Sequence, residues 1–95
     1  MKAYILARAV ISDADGYATY SADVPEVVRR FGGRFLARGG RTVGLEGAVF
    51  EGRVVIIEFP DMAAAEGFYN SQDYQTLKKR RTPFSSVELI AVEGV

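Results

Sequence analysis

Two segments, Lys2–Ile11 and Arg53–Phe59, carry apolar side chains on both faces of an extended strand, which restricts the fold more than any other feature. In the first, Tyr4, Leu6 and Val10 alternate with Ala3, Ile5, Ala7 and Ile11; the second reads RVVIIEF. Strands of this kind are usually covered on both sides. Between and after them lie helical patterns. Ser12 followed by Asp15 has capping-box spacing, and Tyr17, Tyr20, Val24, Val27, Val28 and Phe31 recur with a helical period. Pro25 predicts a break, with Asp23 capping the second piece, and Gly32-Gly33 ends the helix. Arg34–Gly47 reads as a second strand interrupted by a bulge or bend at Gly39-Gly40, followed by a loop over Ala48–Gly52. Pro60 closes the third strand. Asp61 and Ser71 are expected N-caps of two further helical pieces, Pro83 stops the second, and Ser86–Glu93 is the last strand.

The order β-α-β-β-α-β predicts an α+β, ferredoxin-like fold: a four-stranded antiparallel sheet with the helices on one face. At 95 residues the chain makes one domain, residues 1–95. Helices cover one face only, so the apolar side chains on the other need a partner. A second copy of the same sheet is the simplest one. A homodimer is therefore expected, with an interface of roughly 2,000 Å² or more.

Composition removes whole classes of chemistry. With no histidine and no cysteine, the chain has no Ser-His or Cys-His nucleophile, no thiolate metal centre, no disulfide and no histidine-bound haem. Twelve basic and twelve acidic side chains cancel, which argues against nucleic acid as a partner. The run Lys78-Lys79-Arg80-Arg81 lacks interleaved aromatics and reads as a solvated helix end favoured by the dipole. No glycines fit GxGxxG or a phosphate loop, and Asp13-Ala14-Asp15-Gly16 departs from a calcium loop at its sixth and twelfth positions. No metal or cofactor is expected. Arg8 interrupts the first apolar stretch and no window reaches the ~20 apolar residues of a membrane span, so a cytoplasmic protein is expected.

Five residues are candidates for a site. Arg38 and Glu58 each interrupt an apolar strand, and pairing outward from the 48–52 loop sets Glu58 near residues 40–42, one bulge from Arg38. Glu58 is the candidate catalytic base, Arg38 a ligand-binding cation, and Arg8 lies close enough to join them. The alternative is a structural ion pair. Tyr74 and Arg81 share a helical face and, with Tyr69, are candidate ligand-binding residues; the alternative for the tyrosines, Tyr17 and Tyr20 included, is a role as core aromatics. All five are expected to line one cavity between helices and sheet, near the C-terminal ends of the first and third strands. Such a cavity would suit a small anionic organic molecule.

Several pieces, in order along the chain, carry a resemblance. They are Asp13 with Tyr17 and Tyr20, Phe31-Gly32-Gly33-Arg34-Phe35-Leu36, Arg38-Gly39-Gly40, Leu45-Glu46-Gly47, Val55-Ile56-Ile57-Glu58-Phe59-Pro60, Phe68-Tyr69 with Ser71, Tyr74-Gln75 with Leu77 and Arg81, and Val92-Glu93-Gly94-Val95. The chain resembles the domain-of-unknown-function 1330 family, small members of the dimeric α/β-barrel superfamily. Phe68 stands where that family often carries Trp. The resemblance implies a ferredoxin-like fold and a homodimer, but no reaction. Related barrels include cofactor-independent oxygenases and lactone isomerases. An enzyme of that kind therefore stands beside a non-catalytic ligand-binding or stress-related dimer.

Overall fold

The computed structural model describes all residues from Met1 to Val95. Strand β1 (Ala3–Ile11) is followed by helices α1 (Ala14–Ser21) and α2 (Val24–Arg30), then strands β2 (Arg34–Arg38) and β3 (Arg53–Phe59). Helices α3 (Met62–Asn70) and α4 (Gln72–Arg81), a 3₁₀ turn (Thr82–Phe84) and strand β4 (Ser85–Glu93) complete the chain. The four strands form one antiparallel sheet in the order β2-β3-β1-β4. This is the expected ferredoxin-like arrangement. No helix is long and apolar enough to cross a membrane.

The helix ends follow from local chemistry. Asp13, rather than Ser12, caps α1, its carboxylate accepting from the backbone of Asp15 and Gly16 at 3.1 and 3.3 Å. The chain breaks before Pro25 as expected, but Asp23 makes no cap bond; it takes Arg80 at 2.6 Å instead. That pair and Arg30–Asp73 at 2.5 Å tie α1–α2 to α4. Asp61 and Ser71 cap α3 and α4 through the amides of Ala64 and Tyr74. After α2, Gly32 adopts φ +76°, and a side chain on Gly33 would meet Phe59 and Val28. Only glycine suits both steps of this turn.

The core lies between the helices and the inner face of the sheet. Ala3, Ile5 and Ala9 of β1 and Ile57 and Phe59 of β3 meet Tyr17, Val28, Phe68, Tyr74 and Leu77 there. Burying a side chain the size of Phe59 or Phe68 stabilises by about 1.5–3 kcal/mol. The alternating set, Tyr4, Leu6, Arg8 and Val10 with Val54, Ile56, Glu58, Ile90 and Val92, turns to the outer face. Ile90 is 64% exposed and Val10 55%. No helix lies on this side.

Strand β2 is shorter than expected. It ends at Arg38, because Gly39 turns to φ +71° and residues 40–52 leave the sheet. A bulge between Phe35 and Ala37 also resets its alternation, so that Arg34 opposes Glu58 while Arg38 opposes Val55. In an unbroken strand Arg34 and Arg38 would share a face; the bulge sends Arg38 to the inner one.

Candidate functional site

The site grows from the end of α4. Tyr74, Leu77 and Arg81 occupy one helical face and all three are buried, Arg81 to 6% exposure. Its guanidinium carbon lies 5.7 Å from the Tyr20 ring centre. Its Nε is buried without a hydrogen-bond partner, and no carboxylate pairs with it. Burial alone would lower the affinity of Arg81 for its proton, but the neighbouring Tyr74 and Tyr20 hydroxyls outweigh this and hold it charged. A buried guanidinium is expected to have an anionic partner. This one has none from the chain.

The other arginines sharpen the contrast. Arg8, Arg29, Arg30, Arg34 and Arg80 each pair with a carboxylate. Arg41 is exposed in the 39–52 loop. Arg38, Arg53 and Arg81, the three that face the layer between sheet and helices, pair with no carboxylate. Arg38 donates instead to the Ser21 carbonyl at the end of α1. Arg53 carries the second buried, unpartnered Nε.

Two chambers occupy this layer and share Ile5, Val87 and Leu89 in their walls. The larger, about 380 Å³, lies between α3–α4 and strand β4, and Tyr69, Lys78 and Arg81 supply its polar groups along with Glu66. Lys78 Nζ donates to the Tyr69 hydroxyl at 2.8 Å and sits 5.3 Å from the ring centre. That hydrogen bond, helped by the charges of Lys78 and Arg81 and opposed by burial, holds the Tyr69 phenol below its ordinary value. A volume near 380 Å³ falls in the range of small-molecule sites.

The smaller chamber, about 40 Å³, is lined by Tyr17, Tyr20, Tyr74, Arg38 and Arg53 among apolar side chains. Tyr20 and Tyr74 meet hydroxyl to hydroxyl at 2.8 Å. Burial raises the Tyr20 phenol far above its ordinary value and raises that of Tyr17 as well, the latter against the pull of Arg53, Arg81 and Arg38. These two tyrosines stay neutral.

The candidate residues therefore divide. Tyr69 and Arg81 line the larger chamber, Arg38 and Tyr74 the smaller, and Glu58 neither. Glu58 does not meet Arg38; it lies on the outer face, 3.0 Å from Arg34 Nε and 3.3 Å from Lys2 Nζ. Burial opposes its charge, but the hydrogen bonds from Arg34 and Lys2 prevail and hold its carboxyl below the ordinary range. Arg8 is likewise on the outer face, paired with Glu88 at 3.0 Å. The Glu58–Arg38 expectation failed on register: residues 40–52 leave the sheet, so Glu58 opposes Arg34 and Arg38 opposes Val55, and the bulge then turns Arg38 to the inner face. Arg8 shares the outer face with Glu58 but opposes Val54 and Glu88, four positions along β1 from the residue that opposes Glu58. Nor do the chambers sit at the C-terminal ends of β1 and β3, which, being antiparallel, point to opposite ends of the sheet. Sequence reasoning passed over Arg53 and Lys78. Arg53 could have been found by its phase, since it alternates with Val55 and Ile57 onto the inner face.

A ferredoxin-like domain with a cationic, tyrosine-lined inner layer is thus the class this chain defines. Residues 2–95 match the family described as a domain of unknown function (DUF1330), and the chain belongs to that family. Among solved structures, it is similar to the RPA0582 protein of unknown function from Rhodopseudomonas palustris. That likeness has 23% identity and a TM-score of 0.79 and covers 99% of this chain and 82% of that one. It is similar also to SnoaB, a cofactor-independent oxygenase from Streptomyces nogalater, at 15% identity and TM-score 0.71 over 99% and 93% of the two chains. A dimeric protein of unknown function with a ferredoxin-like fold from Bacteroides fragilis matches at 11% identity and TM-score 0.57, over 98% and 96%. Nothing matches among curated proteins.

Proposed function

We propose that each subunit binds a small organic anion, a carboxylate or enolate on an apolar body, in the larger chamber, with Arg81 as its anchor. The observation that carries this reading is the buried Arg81 guanidinium, which has an unpartnered Nε and no carboxylate beside a chamber of about 380 Å³. A bound anion would supply the missing acceptor, and a charge-assisted bond in a desolvated setting is stronger than one in water. Lys78 adds a second cation, and Ile5, Val87 and Leu89 give the apolar body a floor. Arg38 and Arg53 keep the adjoining smaller chamber positive as well.

The protein acts as a homodimer in this reading, with the outer faces of two sheets against each other. The exposed Val10, Ile90 and Val92 support this, as does the dimeric relative of like fold. Catalysis of the cofactor-independent oxygenase or isomerase kind is the second reading, favoured by the lowered phenol of Tyr69 in the chamber wall. Otherwise the dimer only holds its ligand.

Thermal unfolding with benzoate tests the binding reading. At a hundred times its dissociation constant, a native-state ligand adds about 2.7 kcal/mol of stability. Benzoate is expected to raise the melting temperature of the wild type and to leave Arg81→Met unmoved. Equal shifts in both proteins, or none in the wild type, contradict it.

A further inference from the structure

Resting on that reading of the larger chamber, we propose that Tyr69 is its proton-transfer group, acting on the carbon next to the carbonyl of a bound 2-oxo acid. The Tyr69 oxygen stands 2.8 Å from Lys78 Nζ, at the wall of the cavity that Arg81 also lines. In the step, the C–H bond breaks and its proton goes to the Tyr69 phenolate oxygen. The electron pair forms a carbon–carbon double bond, and the carbonyl pair moves to oxygen, giving an enolate that Arg81 and Lys78 stabilise. Return of the proton to the same carbon, or to a conjugated one, completes an exchange or an isomerisation. No oxidant or reductant is consumed.

The placement of the other acid–base groups supports Tyr69. Glu58, the carboxylate expected to be the base, is across the sheet, paired with Arg34 and Lys2. Tyr20 and Tyr74 are engaged with each other. The groups facing Tyr69 are Lys78, Arg81 and Tyr74 from α4 and Glu66 from α3, while β1 and β4 contribute only apolar side chains. Two cations against one carboxylate favour the anionic form of the phenol. Lys78 is a positioning residue: it holds the Tyr69 oxygen and sets the pH at which that oxygen accepts a proton.

The test follows deuterium uptake at C3 of phenylpyruvate by proton NMR in D₂O, with binding of the same acid measured by calorimetry. Wild-type protein is expected to bind the acid and to accelerate exchange about a hundredfold over buffer. Tyr69→Phe should bind within about threefold of wild type yet exchange at the buffer rate. Lys78→Met should keep a measurable rate whose rise with pH is displaced upward by about one unit. Three results overturn the assignment: bound acid with no acceleration, Tyr69→Phe exchanging like wild type, or Glu66→Gln abolishing exchange while Tyr69→Phe does not. Failure of the wild type to bind the acid at all overturns the anion-binding reading beneath it.

Discussion

Tyr20 of α1 and Tyr74 of α4, 54 positions apart, join their hydroxyls at 2.8 Å inside the layer between helices and sheet. The Tyr20 ring also lies 5.7 Å from the Arg81 guanidinium carbon and both hydroxyls neighbour Arg81, so this contact links helix packing to the chamber wall. Replacing one partner leaves the other hydroxyl buried and unpaired, which costs about 1–3 kcal/mol. Tyr74→Phe is expected to lose stability in that range by urea unfolding. The double variant with Tyr20→Phe should lose less than the two single losses added together. Additive losses would show that the two hydroxyls do not depend on each other.

Arg81 should behave unlike an ordinary buried ion-pair member. Removing one partner of a buried pair is strongly destabilising, because the other charge is stranded. Arg81 strands no carboxylate, so Arg81→Met is expected to keep its stability within about 1 kcal/mol of wild type in ligand-free buffer. A loss beyond about 3 kcal/mol would mean that Arg81 is a structural charge with a partner in the chain.

The outer face predicts the assembly. Ile56 lies opposite Leu6 in the middle of the sheet, on the side that no helix covers. A lysine there places a charge at the centre of the proposed interface, where charged residues are depleted. Light scattering at micromolar concentration should give a dimer mass for the wild type and a monomer mass for Ile56→Lys. A wild-type monomer would contradict the proposed homodimer.

Glu58 gives the acid-side behaviour a definite sign. Its carboxyl sits below its ordinary value of 4.5 in the folded protein, so it contributes stability at higher pH and loses that contribution as pH falls through its folded value. Glu58→Gln is expected to flatten the decline in stability between about pH 6 and pH 3, measured as unfolding midpoints. A variant that tracks the wild type across this window would show that Lys2 and Arg34 do not hold the charge.

Much of the fold was legible in the sequence because its signals are local. The strands declared themselves by alternation, the helices by their apolar period, and Asp61, Ser71 and Pro25 marked where helices begin. The site was less legible, because it depends on which face each arginine takes. A single extra residue near Leu36 reverses the parity of β2, and with it the side on which Arg38 lies. Nothing in residues 34–38 announces that bulge. Gly39-Gly40 suggests only a bulge or bend in a strand running on to Gly47, whereas in the fold the chain leaves the sheet there. In the sequence Lys78 stands in a basic run on the Tyr74–Arg81 helical face, and only the turn at Ser71 brings it back over Tyr69.

The central claim, that Arg81 is an anion anchor, is tested most directly by the Nε–H resonance of Arg81 in ¹⁵N-labelled protein titrated with benzoate. The claim predicts a saturable shift at Arg81, one equivalent per subunit, while the Arg34 Nε–H, already held by Glu58 at 3.0 Å, stays in place. An Arg81 resonance that does not move while benzoate binds elsewhere, or moves no more than that of Arg34, would contradict it.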